Sequence, residues 1–558
     1  MTVIAVQAKQ AWQDVVARKR AERTTLLAPF AAGASSDKGT NNDNAGASGE
    51  QRQGNESDDV TLIHSANELI DLIDRGDRSC VAVTKAYIQR AVEAHDKTNC
   101  LTEIAFDDAL KHAAELDANL AEGKKLMLPL HGIPMTLKDQ FNFKGLDSTL
   151  GYVGRSFSPA ADDAALVKML RSLGAIILAK SNLPQSIMWC ETDNPLWGLT
   201  TNPLHKDYTP GGSTGGESAL LASKASMVGW GTDIGGSIRI PSHMMGLYGF
   251  KPSSARLPYQ GVPVSTEGQE HVPSSIGPLA RSLDTIHLTM TSLIRAKPWE
   301  FDSRCVPITW REGIYREALG RPLTIGVLFD DAVVHAHPPI NRVLRSAVDV
   351  LRNAGHEIIE WNADLHEDCI RIMDQFYTAD GCEDIRRDVM AGGEPFIPHV
   401  QRLINRGDAI SVYQYWQLNK KKIELQQAYL EKWDSIRSEN TGKKADIILM
   451  PPMPHTSVPH GNSRWVGYTK VWNFLDYTAL VIPGGSVCKE DVAAPWDFEP
   501  YGPEDEWNKK LWEDHGEQMA SLGLPVGLQI VGRKLEEEKV LAAGKVLDDL
   551  LKEVVGRD

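Results

Sequence analysis

No CxxC pair occurs in this chain, and its seven cysteines (Cys80, Cys100, Cys190, Cys305, Cys369, Cys382 and Cys488) are scattered and odd in number. That pattern argues against a disulfide framework or a zinc site and fits a reducing, cytoplasmic compartment. Positive charge is also in short supply. Fifty-nine lysines and arginines against 74 acidic residues leave a net charge of −15, which speaks against nucleic acid or an anionic membrane as the main partner. No stretch reaches the roughly 18 apolar residues needed to span a bilayer. The opening MTVIAVQAKQAWQDVVARKRAERTTLLAPF lacks the uninterrupted apolar core of a signal peptide. These shortages point to a soluble protein acting on a small molecule.

With 558 residues and a hydrophobic content of 42%, the chain can bury a large core. Val3, Val6, Trp12, Val15 and Val16 recur at roughly helical spacing, so residues 1–30 read as an amphipathic helix, an arm for packing or for a homodimer contact. Residues 31–59 collapse mostly to Gly, Ser, Asn, Asp, Gln and Ala. Such a composition buries too little apolar surface to offset its ordering entropy, and reads as a flexible loop. From residue 60 to 558 helical and strand signals alternate without a second linker, which predicts one α/β domain. Helices are expected over 66–74, 81–94, 108–121, 164–173, 340–354 and 536–551. Strands are expected at LTEIAF, at IPMTLKD ending on Lys138, and at AIILAK, PLTIGVLF, HEIIEW, ADIILM, TALVIP and LPVGLQIVG. Continuous apolar strands between helices predict a large sheet with helices on both faces. Residues 364–440 read as mostly helical, an outer layer that could also cap a substrate pocket.

One stretch, PGGSTGGESALLASKASMVGWGTDIGGSIRIP from Pro210 to Pro241, holds two glycine-flanked serines, Ser213 and Ser237, and no histidine. Serine is a poor nucleophile until a base takes its proton. Ser213 sits in a GxSxG pattern, but the residues before it, HKDYTP, are polar and broken by proline, so the apolar strand of an α/β-hydrolase elbow is missing. A P-loop would need a lysine that is absent here. The remaining reading uses both serines. GTDIGGS, Gly231 to Ser237, reads as a turn whose successive amides could converge beside the Ser237 hydroxyl and form an oxyanion hole, where each donor is typically worth about 3–4 kcal/mol. Six glycines between the two serines fit such a site better than a solvated turn. For a base, Lys138 follows the apolar run HGIPMTL, and burial there would disfavour its charged form.

These residues together resemble the amidase signature family of serine hydrolases. The Pro210–Pro241 stretch and the SHMMGLYGFKPS after it match the family's Gly/Ser-rich signature. GIPMTLKDQF matches its lysine strand, SNLPQSIMWCETDNPLWGLTTNP its preceding helix and loop, and LGLPVGLQIVGR its C-terminal strand. Flanking segments are most similar to fungal acetamidase-type amidases, and SNLPQS…NPLWG also to fatty acid amide hydrolases. The resemblance implies hydrolysis of a carboxylic amide through an acyl-enzyme, with no cofactor and no metal; the same residues leave open fatty or aryl amides, an ester or a carbamate as substrate, or an amidotransferase subunit. It implies Ser237 as nucleophile, Lys138 as base, and Ser213 as a relaying serine joined to Gly212 by a cis peptide. By the same resemblance, the oxyanion donors are the amides of Ile234, Gly235, Gly236 and Ser237, and the backbone at Ile187 contacts substrate. Asp233 and Arg239 are expected to support the turn. Met188, Trp189 and Trp197 are candidates for an apolar acyl pocket or for core.

Overall fold

The computed structural model describes residues 2–31, 59–121 and 127–555; the low-complexity segment read as a loop lies almost wholly outside them. Among the described residues eleven strands form one mixed sheet. In chain order they are β1 (Leu101–Ile104), β2 (Pro134–Lys138), β3 (Ile176–Ser181), β4 (Val228–Asp233), β5 (Tyr248–Lys251), β6 (Ser275–Ala280), β7 (Thr324–Val327), β8 (Glu357–Glu360), β9 (Ile447–Met450), β10 (Thr478–Ser486) and β11 (Pro525–Gly532). Across the sheet the order is β1-β3-β2-β4-β6-β5-β10-β11-β9-β7-β8. β2 runs parallel to both β3 and β4, and β7 runs parallel to β8 and β9. The strands between these two parallel patches pair antiparallel.

Successive side chains of a strand point to opposite faces, and here both faces are covered. Leu480, Ile482, Leu528 and Ile530 join the largest apolar cluster, with helix residues such as Val540, Leu541 and Leu344. Their neighbours Ala479 and Val531 turn the other way, into a second cluster built on Trp361, Tyr429, Trp433 and Trp472. That second cluster draws on the predicted helical region, which folds as His366–Phe376, Glu383–Gly392, Pro398–Ile404 and Val412–Ser435.

The expected helices and strands form at their places to within a few residues at each end. Three strands were not expected: β4, β5 and β6. β4 includes Gly231–Asp233, so the stretch read as a turn from Gly231 is strand up to Asp233. Its glycines hide it, because Gly lacks the side chain that marks a strand. They are required by packing: a Cβ on Gly229 would stand 2.4 Å from Glu217 Oε2, and one on Gly231 2.7 Å from Thr214 Cγ2.

The first helix spans Thr2–Ala31 and is held to the body by its basic side chains. Lys19 is buried and lies 2.8 Å from both Glu103 and Asp147. Arg20 Nε donates to Leu196 O at 2.7 Å and Arg23 Nη1 to Leu101 O at 2.6 Å. Among the described residues no helix is long and apolar enough to cross a membrane.

Candidate active site

Parallel strands leave a crevice at their carboxyl ends, where ligands of open α/β sheets bind. β2 and β4 end side by side in this way, β2 on Lys138 and β4 on Asp233. Lys138 is fully buried. Its Nζ lies 2.7 Å from Ser213 Oγ and 3.0 Å from Thr232 Oγ1. Burial pushes its amine down from 10.5 to about 7, against the opposing pull of Asp233, Glu217 and Asp139. Glu217, also fully buried, is pushed up to about 8 by the same loss of water.

Ser213 follows a cis peptide from Gly212 and stands just before the helix Gly215–Ala222, whose first two turns are entirely buried. Gly216 lets this helix approach the core, because a Cβ there would meet the Asn182 amide nitrogen at 2.4 Å. Ser237 precedes a second short helix, Arg239–Met245. Both serines line one cavity, together with the apolar Ile187, Met188, Ile234 and Val264 and the polar Thr232, Ser265, Thr266, Gln269 and Ser274. The centre of a water-sized group can move through about 20 Å³ of it. Beside it, Ile187 has φ of 59°, a left-handed conformation that a β-branched residue adopts only when its surroundings impose it.

The turn from Ile234 to Ser237 is built around a buried ion pair. Asp233 accepts from the Gly236 amide at 2.8 Å and from the Ile238 amide at 3.1 Å. Arg239 Nε and Nη2 donate to the same carboxylate at 3.0 and 2.9 Å. Burial alone would raise this carboxyl, but Arg239 overcomes it and holds Asp233 well below the usual carboxylate range. The other arginine donors reach Thr469 O, Gln529 Oε1 and Asn473 Oδ1. The structure therefore gives the Gly236 amide a different task from the expected one, since the turn's own carboxylate takes it. The amides of Ile234, Gly235 and Ser237 meet no acceptor among the described residues. The carbonyls beside them are held as well: Tyr377 Oη donates to Ile234 O at 2.8 Å, and Thr469 Oγ1 to Gly235 O at 2.7 Å.

The chain's similarities agree with this geometry. The sequence profile of the family described as Amidase matches residues 82–541. The chain belongs to the amidase family. It is 51% identical to "Amidase 1" of Gibberella moniliformis over 97% of its own length and 100% of that protein's. To the "Acetamidase" of Emericella nidulans it is 37% identical over 88% of this chain and 90% of the other. The solved structure "Fatty acid amide hydrolase" superposes with a TM-score of 0.79 at 32% identity, covering 88% of this chain and 85% of that one. The sheet and its helices are those of the amidase fold.

Of the residues named from sequence, Lys138, Ser213, Ser237, Ile234 and Ile187 come together around the cavity, and Met188 joins them. Gly235 and Gly236 lie in the adjoining turn. Trp197 does not reach the cavity: it is buried with Val16, Val153 and Leu196 against the first helix. Trp189 stacks instead on His399, with ring centroids 4.3 Å apart. Sequence reading missed Thr232, Glu217, Tyr377, Thr469, Asn473 and Gln529. Thr232 and Glu217 stand within the serine-rich stretch itself and Gln529 within the LGLPVGLQIVGR strand, whereas Tyr377 carries no local signal at all.

Proposed function

We propose that this amidase cleaves carboxylic amides through an acyl-enzyme on Ser237, with Ser213 and Lys138 moving the proton. The observation that carries the reading is the buried Lys138 amine, 2.7 Å from a serine that shares one cavity with a second serine. A lysine with its amine pushed down to about 7 is neutral in a large fraction of molecules near neutral pH, and a neutral amine accepts a proton. Lys138 then takes the Ser213 proton while Ser213 takes that of Ser237. Ser237 Oγ forms a bond to the substrate carbonyl, and the charge on its oxygen is met by the free amides of Ile234, Gly235 and Ser237. The proton returns to the leaving nitrogen as the C–N bond breaks. Water repeats the sequence on the acyl-enzyme and releases the acid. Reaction with a fluorophosphonate followed by peptide mass mapping tests the assignment. Label is expected on Ser237, and label on Ser213 would overturn it.

The narrow cavity beside the serines supports a short acyl group, in keeping with the acetamidase likeness. Across a series of straight-chain primary amides from acetamide to dodecanamide, kcat/KM is expected to fall as the chain lengthens; a rise toward the long members would refute the short pocket. Tyr377 has a role at one remove. By holding the Ile234 carbonyl it fixes the same peptide plane's N–H, that of Gly235, toward the oxyanion position. Tyr377→Phe is expected to lower kcat about tenfold with little change in KM, less than deletion of a donor itself would cost.

A further inference from the structure

We propose that Thr232 and Gln140 are positioning residues that keep the lone pair of the Lys138 amine directed at Ser213, through a hydrogen-bond chain whose direction is set at its far end. This rests on the reading of Lys138, Ser213 and Ser237 given above. The chain starts at the carbonyl of Pro263, which can only accept. Gln140 Nε2 donates to it at 3.0 Å, so the Gln140 amide is held with its oxygen toward Thr232. That oxygen also only accepts, and Thr232 Oγ1 lies 2.7 Å from it. Thr232 therefore commits its one proton to Gln140 and presents lone pairs to Lys138, 3.0 Å away.

The consequence lies at the amine. A neutral lysine carries two N–H bonds and one lone pair, and Thr232 can receive only an N–H. Were Thr232 free to rotate, its proton could turn onto the lone pair and quench the base. With the chain in place, the lone pair stays available to Ser213 Oγ at 2.7 Å. When the ammonium gives up a proton, it gives up the one facing Ser213. The ionisable groups around the amine are Asp233 at the end of β4, Glu217 from the helix Gly215–Ala222 and the adjoining Asp139. Neither Thr232 nor Gln140 ionises, so substituting them leaves those charges in place. Gln140 is buried and does not line the cavity, so it touches no substrate.

The test is the rate at which a fluorophosphonate labels Ser237, followed from pH 5 to 10. In that reaction the Oγ–P bond forms, the P–F bond breaks and the serine proton passes through Ser213 to Lys138. Thr232→Val is expected to slow labelling about 10- to 100-fold, and Thr232→Ser to restore it to within about threefold. The pH midpoint of Thr232→Val should move lower, because an acceptor favours the ammonium over the free amine. Gln140→Leu should cost about tenfold alone and nothing further in the Thr232→Val background, since both break one chain. Wild-type rates in Gln140→Leu, or losses that multiply in the double variant, would overturn the proposal. If Thr232→Val does not fold, the Gln140→Leu rate alone decides. Lys138→Ala separates the two readings. Wild-type labelling there removes the base itself, whereas a collapsed rate beside wild-type behaviour in Gln140→Leu removes only the positioning chain.

Discussion

Lys138→Ala is expected to lower kcat/KM by about a thousandfold while leaving the fold intact, the scale at which positioned general bases contribute. The side chain lies wholly inside the protein and forms no ion pair within contact distance; its two hydrogen bonds go to Ser213 and Thr232. Removing it deletes a base without breaking an ion pair among the described residues. The pH profile identifies its role. With the amine near 7 in the folded enzyme, the protonated form predominates below that pH and the competent neutral form above it. Wild-type kcat/KM should therefore climb through about pH 7 to a plateau, and the residual rate of Lys138→Ala should lack that limb. Near-normal turnover, or the same limb in the variant, would remove Lys138 from the mechanism.

The second large effect is on stability. Arg239→Met should destabilise the protein by about 3–5 kcal/mol, because it strands a buried carboxylate without its cation. Both Arg239 and Asp233 are fully buried, so water cannot replace the lost partner. The pH dependence should also weaken in acid. In the wild type Asp233 is held below its ordinary value of 3.8. Its contribution to stability is therefore present above that value and lost as pH falls through the folded one. In the variant burial is opposed by the weaker pull of Lys251, Asn473 and the turn's amides, so the carboxyl should rise from its wild-type position and this acid loss should shrink. Urea midpoints between pH 3 and 8 test both statements. Asp233→Asn added to Arg239→Met should recover part of the stability, since no charge is then stranded. It should not recover activity, because the amides of Gly236 and Ile238 lose the carboxylate that sets the turn.

The sequence made the centre of this site legible for a physical reason. Two short turns that each place a serine just before a buried helix, one of them with free amides, admit little besides glycine and small hydroxyls, so their constraints are written locally. Lys138 was legible as a strand end because an apolar run closes on a charge, but its expected role as base came from the family resemblance. The supports of the turn were not. Tyr377, Asn473 and Gln529 reach it from elements 140 or more residues away in the chain, and each looks like an ordinary helix or strand residue where it stands. The three missed strands share another cause: β4 needs glycine where Glu217 and Thr214 press against it, so packing removed the side chains by which strands are recognised. Trp197 stayed open between pocket and core because a large aromatic beside a site motif serves either equally well, and only the docked first helix decides for core.

The sheet order has a consequence for how an active molecule comes into being. β5 meets β10, so the half of the sheet that bears Lys138 and both serines joins the other half only through strands near the end of the chain. The arginine that braces the Ser237 turn takes one of its acceptors, Gln529, from β11. During synthesis Lys138 and both serines leave the ribosome roughly half a chain before the last brace of their turn does. A nascent chain can fold its early helices and strands, yet competence must wait for the final strand to insert. A molecule cut short before Pro525 should carry every catalytic group and be inert.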